Sequence, residues 1–454
     1  MMTMIGRRFG VRGALLAGGL LASSALLAQV APSPGPAITT RPAAVAPANA
    51  PPKVNPEAPV PGNPEYAPDK GQSAEAEVAP PLPPAIWTPV DAQDLLFYIQ
   101  QVGREGLTPA DYDPAGLDSA IRSRNPALIS AAATQRFNSL SSDLALGHIR
   151  KAARVDWHII DSDLDSAKQD ALLRGALASH NIAASLNSLL PTHPQYAALK
   201  SALELNPAGQ TARGDRIRLN LDRWRWLPRD LGGKYIIVNV PGFHATLVEN
   251  GVNRWKQRAI AGSTRTPTPQ LTATATGVIL NPWWEVPKSI EGEVRGKRGY
   301  VPLKGKDGAV QRWRQPPGPS NALGQMKFVM PNSKAIYLHD TNARSRFNDR
   351  TRALSHGCIR TQHIVDLAET LLGDDGGEWT PDRVQATLAS KKSVQASFVK
   401  SLPVYIVYFS SAGLTDGRIV DYKDIYGRDA KAIAALNAKD GGAAKPKADK
   451  VAAK

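Results

Sequence analysis

The chain has 454 residues, 42% hydrophobic and 21% charged, which is ordinary for a soluble protein and long enough for two or three domains. Lys and Arg number 55 against 40 Asp and Glu, a net charge of +15. The excess comes without an aromatic-basic recognition motif, which argues against nucleic acid and for an anionic envelope polymer as partner.

Residues 1–31 read as an export signal. Arg7, Arg8 and Arg12 precede an apolar run, "GALLAGGLLASSALLA", and small residues offer cleavage points at Ala25, Ala28 and Ala31. The expected destination is the periplasm, with an uncleaved inner-membrane anchor as the alternative. No cysteine follows the apolar run, which excludes a bacterial lipid anchor there. Residues 32–85 are rich in Pro and Ala and form no core, so they are expected to be a disordered linker.

Residues 86–212 turn helical in pattern. "DAQDLLFYIQQVGREG" offers Asp91 as an N-cap and ends near Gly106, and Pro109 and Pro114 stand near further helix starts. His148, His158, His180 and His193 are scattered singly through this region and read as surface or core residues. After Arg213 the period is expected to change from helical to alternating. "KYIIVNV", "FHATLVENG" and "VNRWKQRAIAG" read as strands, with Asn250-Gly251 as a hairpin turn. "TATGVILNPWWEV", "KAIYLHD" and "LPVYIVYF" read as further strands, and "TQHIVDLAETLL" as a short helix. The expected fold is α+β: an all-helical accessory domain, then a β-rich domain over 213–429, a mixed β-sandwich with a few helices. Residues 430–454 read as a Lys/Ala-rich disordered tail.

The one cysteine, Cys358, sits in "SHGCIR". An exported chain with a single thiol cannot pair it internally, so Cys358 is either a small buried hydrophobe or a reactive group. Three of the eight histidines, His339, His356 and His363, lie close to it in sequence. Gly357 frees the backbone, so the N–H groups of Gly357 and Cys358 can converge as an oxyanion hole. His339 closes the strand "AIYLH" and is placed to act as base to the thiol. A zinc site from His339, His356, Cys358 and His363 matches no known ligand spacing.

The stretch "YLHDTNARSRFNDRTRALSHGCIR" resembles the L,D-transpeptidase motif: a histidine, a spacer, Ser/Thr-His-Gly-Cys, a hydrophobic residue, and Asn or Arg. "NLDRWRWLP", "NPWWEVP", "PPGPSNALGQMKF" and "DIYGRD" resemble the large Gram-negative branch, and "EGLTPADY" resembles its scaffold domain. The resemblance implies a cysteine-dependent acyltransferase without cofactor or metal. Cys358 would be the nucleophile, His339 the base, the Asp340 carbonyl its orienting group, and the N–H groups of Gly357 and Cys358 the oxyanion donors. Ser355 and His356 would support the loop, and Arg360 would bind a substrate carboxylate or form a structural ion pair. His363 reads as a bystander, and Trp224, Trp226, Trp283 and Trp284 as packing residues.

The implied reaction is 3–3 cross-linking of peptidoglycan stem peptides, with a tetrapeptide donor, release of D-alanine and a diamino-acid acceptor. Carbapenem-type β-lactams are the implied covalent inhibitors, and other cell-wall synthesis proteins are candidate partners. A carboxypeptidase or hydrolase using the same site, and a catalytically silent wall-binding scaffold, are the alternatives. Two departures from the branch stand out: no separate peptidoglycan-binding domain is legible, and the capping insertion, about 287–316, is short.

Overall fold

The computed structural model describes residues 83–206, 211–414 and 417–443. The expected export segment, nearly all of the linker and the chain beyond 443 lie outside the described residues. The architecture is α+β, a helical N-terminal region followed by a β-rich domain.

Six helices come first: α1 (Pro89–Gln101), α2 (Pro114–Arg122), α3 (Pro126–Leu146), α4 (Ser166–Ala178), α5 (Ile182–Asn187) and α6 (Pro194–Leu205). Proline opens α1, α2, α3 and α6, where its missing N–H has no helical partner to lose. Side chains of Thr88, Asp113, Asn125, Asp165 and Asn181 cap helix N-termini by accepting backbone N–H groups. The apolar faces meet in one core that includes Leu95, Ile99, Leu117, Phe137, Leu140 and Leu173.

The chain stays helical beyond the expected change of period. Ala212–Arg225 is a helix, α7, and every residue from Ile217 to Arg225 is buried. A helix covered on all sides needs no polar face, so it shows no amphipathic stripe from which to read it. Its charges are paired instead. Asp222 accepts the N–H groups of His148 (2.7 Å), Ile149 (3.2 Å) and the Trp226 indole (2.9 Å). Arg223 pairs with Asp429 at 2.8 Å. Arg225 donates to the Glu105 carbonyl and the Tyr196 hydroxyl. Arg218 donates to Gly106, Thr108 and Asn437. Trp224 and Trp226 are buried in the same junction core.

Strands follow in the order β1 (Lys234–Asn239), β2 (His244–Glu249), β3 (Val252–Gly262), β4 (Leu271–Leu280) and β5 (Trp284–Glu285). A short helix, α8 (Glu291–Val294), leads to β6 (Val301–Lys304), β7 (Val310–Gln315), β8 (Met326–Val329), β9 (Leu338–His339), β10 (Ala353–Ser355) and β11 (Ile359–Thr361). Then come α9 (Ile364–Gly373), α10 (Pro381–Ala389), β12 (Val394–Val407), β13 (Ser411–Gly413), β14 (Ile419–Asp421) and α11 (Asp429–Leu436). Asn250 and Gly251 both have positive φ, 49° and 78°, as the tight turn joining β2 to β3 requires.

Nine strands form a mixed sheet in the order β10-β3-β11-β9-β8-β4-β12-β1-β2. β3 also pairs with β2 through its first half, so the ladder closes on itself. Inward residues such as Ile236, Val238, Leu247, Val278, Leu338 and Ile359 make one core, completed by Leu367 and Leu371 of α9. The insertion forms a separate three-stranded sheet, β5-β7-β6, over a small core of Val286, Ile290 and Val294.

The expected tail is in part a packed element. Ala432, Ala435 and Leu436 of α11 are buried in the junction core, and the Gly441 carbonyl accepts the Arg150 N–H at 2.9 Å. Small apolar residues at helical spacing, not the lysines around them, decide this segment's fate.

Candidate active site

β9 lies between β8 and β11, and the pairing register brings distant residues together. His339 is opposite Lys327 on β8 and opposite Arg360 on β11. Directly paired residues share one face of a sheet, so Lys327, His339 and Arg360 form a row across three strands. Leu338 and Ile359, one residue away on their strands, point into the core. Cys358 stands two residues before Arg360, just before the strand that pairs with His339.

Hydroxyl groups hold the thiol loop. The Ser355 hydroxyl donates to the Cys358 carbonyl at 2.6 Å and accepts the Gly357 N–H at 3.1 Å. Thr268 Oγ1 donates to the Gly357 carbonyl at 2.7 Å, and Thr266 Oγ1 to the Ser355 carbonyl at 3.1 Å. Gly357 has φ of 115°, open to glycine and strained for other residues, and an added Cβ would lie 3.2 Å from Ile336 Cδ1. The Gly357 N–H, expected to line the oxyanion hole with that of Cys358, donates here to the Ser355 hydroxyl.

Ala335 lies on the other side of the thiol. It has a left-handed φ of 51° and presents its carbonyl 3.7 Å from Cys358 Sγ. Asn332 fixes this turn: its side-chain oxygen accepts the N–H groups of Lys334 (3.2 Å) and Ile336 (3.1 Å). Its amide group donates to the carbonyls of Met330 (2.8 Å) and Ile336 (2.7 Å). Strain of this kind concentrates at functional sites.

Burial dominates the electrostatics. It pushes the Cys358 thiol up to about 11, against the backbone N–H and hydroxyl of Tyr337 and the charges of Lys327 and Arg360, which all favour thiolate. His339, 5% exposed, is pushed down to about 3 by burial first, with Arg360 and Lys327 adding to the shift. The carbonyls of Asp340 and Leu323 act the other way on the ring. Its Nδ1 is buried without a hydrogen bond of normal geometry. At neutral pH the site therefore holds a thiol and a neutral imidazole. Burial also lowers the pKa of Lys327 and of Arg360. Among the described residues neither has an acid at ion-pair distance, and the buried Arg360 Nε has no hydrogen-bond partner.

The remaining candidates divide. The Asp340 carboxylate accepts the Gln325 N–H at 2.9 Å and Arg344 Nη2 at 2.7 Å, which anchors the residue after His339. His356 is exposed, and its Nε2 lies 3.4 Å from Glu293 of α8, linking the thiol loop to the insertion. His363 precedes α9 and sits 3.5 Å from Asp366. Among the described residues no group of three or more His, Cys, Asp or Glu is placed to hold a metal. Sequence reading missed Lys327, Ala335, Tyr337 and Thr268 as neighbours of the thiol. Each reaches it through strand pairing or a loop closure that leaves no local pattern.

Residues 233–406 match the YkuD family, described as the L,D-transpeptidase catalytic domain, and residues 84–203 match a scaffold domain. The chain carries an L,D-transpeptidase catalytic domain. The match contains Lys327, His339, Cys358 and Arg360, and α7 lies between the two matched segments. A Haemophilus influenzae protein provisionally named an L,D-transpeptidase is 33% identical over 240 residues, 47% of this chain and 48% of that protein. The chain thus spans about half the length of that curated relative. Among solved structures, an L,D-transpeptidase from Mycobacterium smegmatis is 15% identical, with a TM-score of 0.21, over 38% of this chain and 58% of that one. The catalytic domain of Enterococcus faecium L,D-transpeptidase, acylated by ertapenem, is 15% identical, with a TM-score of 0.19, over 39% of this chain and 99% of that one.

Proposed function

We propose that this protein is an exported cysteine L,D-transpeptidase that forms 3–3 cross-links between peptidoglycan stem peptides. The observation that carries the reading is the pairing register, which sets His339 opposite both Lys327 and Arg360 and puts Cys358 two residues before Arg360 on the strand beside it.

Cys358 Sγ attacks the carbonyl before the terminal D-alanine of a tetrapeptide as His339 takes the thiol proton. The Cys358 N–H donates to the developing oxyanion, and Lys327 and Arg360 favour the negative charge through space. Collapse breaks the peptide bond, the D-alanine amine leaves with the proton from His339, and a thioester remains on Cys358. The side-chain amine of a second stem attacks this thioester and passes a proton to His339, which returns it to the departing thiolate. The amide bond formed replaces the one broken, so no cofactor enters the balance. The same thiol is expected to open the ring of carbapenem-type β-lactams, a reading supported by the ertapenem-acylated Enterococcus domain. Export to the periplasm rests on residues 1–31.

The test incubates the protein with a purified disaccharide-tetrapeptide and follows products by mass spectrometry, beside Cys358→Ala. A dimer lacking one D-alanine, absent with the variant, supports the reading. Tripeptide alone would make the protein a carboxypeptidase. Equal product from the variant would overturn cysteine catalysis.

A further inference from the structure

The thiol loop is also one wall of a groove to which no role has yet been given. It has a volume of about 700 Å³ and is bounded by Asp156, Lys334, Ile336, His356, Arg428 and Lys431, among others. Three parts of the chain build it. Asp156 comes from the scaffold-domain segment, 334–357 from the catalytic domain, and 426–431 from beyond the end of the catalytic-domain match. The scaffold contribution is stitched in place: the Gln270 N–H donates to the Asp156 carbonyl (3.0 Å), and the His158 N–H to the Gln270 carbonyl (2.8 Å).

The groove reaches the chemistry through one short segment. Lys334 and Ile336 line it, while Ala335 between them holds its carbonyl 3.7 Å from Cys358 Sγ. Its charge is one-sided. Asp156 is taken by Arg428 at 2.6 Å, and Arg428 is fixed further by the Thr268 carbonyl and the rings of Tyr408 and Tyr426. Lys334 and Lys431 are exposed, and among the described residues neither has an acid at ion-pair distance. A concave site of several hundred Å³ is sized for a few residues of peptide, and two free ammonium groups on its rim select carboxylates.

We infer that this groove binds a carboxylate-bearing stem peptide next to the thiol, with Lys334 and Lys431 holding its carboxylates and the scaffold domain supplying part of the wall. The inference rests on the transpeptidase reading for the identity of the peptide. The peptide is the acyl donor or the acceptor; both carry the same chemistry, and the two separate by experiment.

The test uses the full chain with Lys334→Glu, Lys431→Glu, both together, and Lys392→Glu as a charge-matched control elsewhere. Binding of the disaccharide-tetrapeptide to each in a Cys358→Ala background is measured by calorimetry, at low and high salt. Each groove reversal is expected to weaken binding about tenfold, an effect that shrinks with salt, while the control stays within about twofold. This readout needs no turnover, so it stands even if the wild type proves inactive, a result that would instead sink the transpeptidase reading. In turnover, loss of dimer with tripeptide release unchanged puts the acceptor in the groove, and equal loss of both puts the donor there. Alkylation of Cys358 by neutral iodoacetamide is expected to stay within about twofold, showing that the thiol itself is undisturbed. Binding by the double reversal that equals the control's would overturn the inference.

Discussion

The junction helix α7 and the active-site row both concentrate charge out of water, and they treat it in opposite ways. Along α7, Arg218, Asp222, Arg223 and Arg225 are buried, and each is met by acids, carbonyls or N–H groups from segments on either side. In the row, Lys327 and Arg360 flank His339 with no acid at ion-pair distance among the described residues. The junction's charges are neutralised where they stand, so they hold the scaffold and catalytic domains in register. The row's charges are left unbalanced, so their field acts on the Cys358 thiol and the His339 ring. A structural charge has its partner in the fold; under the proposed mechanism the row's partner is negative charge that forms only during reaction.

Removing the nucleophile gives the largest expected effect. Cys358→Ala should abolish acylation and turnover while leaving thermal unfolding nearly unchanged, since Cys358 is only half-buried and its contact with the Ala335 carbonyl is long, 3.7 Å. Breaking the junction comes next. Asp222→Ala leaves the Arg225 guanidinium and three N–H groups short of an acceptor and should cost about 3–5 kcal/mol, read by denaturant unfolding. Arg360→Gln sets the contrast: it should cost less than about 1 kcal/mol, because no buried partner is orphaned. A loss matching that of Asp222→Ala would erase the distinction between the two regions.

Ser355→Ala removes the link between the Gly357 N–H and the Cys358 carbonyl and should slow turnover by the equivalent of about 1–3 kcal/mol, with Cys358 still open to alkylation. The Arg360→Gln variant also has a signature in pH. Arg360 favours the thiolate and disfavours the imidazolium, so its removal raises both pKa values. Wild-type alkylation should climb toward pH 11, and the variant's profile should lie at higher pH.

The smallest effect concerns acid stability. Burial pushes His339 down to about 3 and His244 to about 4, from 6.5. Below about pH 6.5 the unfolded chain takes up protons that these folded sites refuse, so stability falls as pH drops toward about 4. His244→Gln should make that fall shallower, as compared by urea unfolding at neutral and mildly acidic pH.

Local pattern made the ends of this site readable. Cys358 and His339 stood out through an unpaired thiol, a preceding strand end and the motif around them, and β2 and β3 through their alternation and the Asn250-Gly251 turn. The unread parts had physical reasons. α7 has no polar face, so no period marked it as a helix. α11 is carried by Ala432, Ala435 and Leu436, too small a stripe to stand out among lysines. Lys327 joins His339 only through strand pairing, and Ala335 turns toward the thiol only because Asn332 closes the loop. The bond from the Gly357 N–H to the Ser355 hydroxyl likewise depends on how the loop closes, which no local pattern shows.

Intact-protein mass spectrometry after exposure to a carbapenem, followed by peptide mapping, tests the central claim most directly. The account predicts a single adduct, on Cys358, absent from Cys358→Ala and formed far more slowly in His339→Gln. A folded wild-type protein with unchanged mass, or with its adduct on another residue, would contradict it.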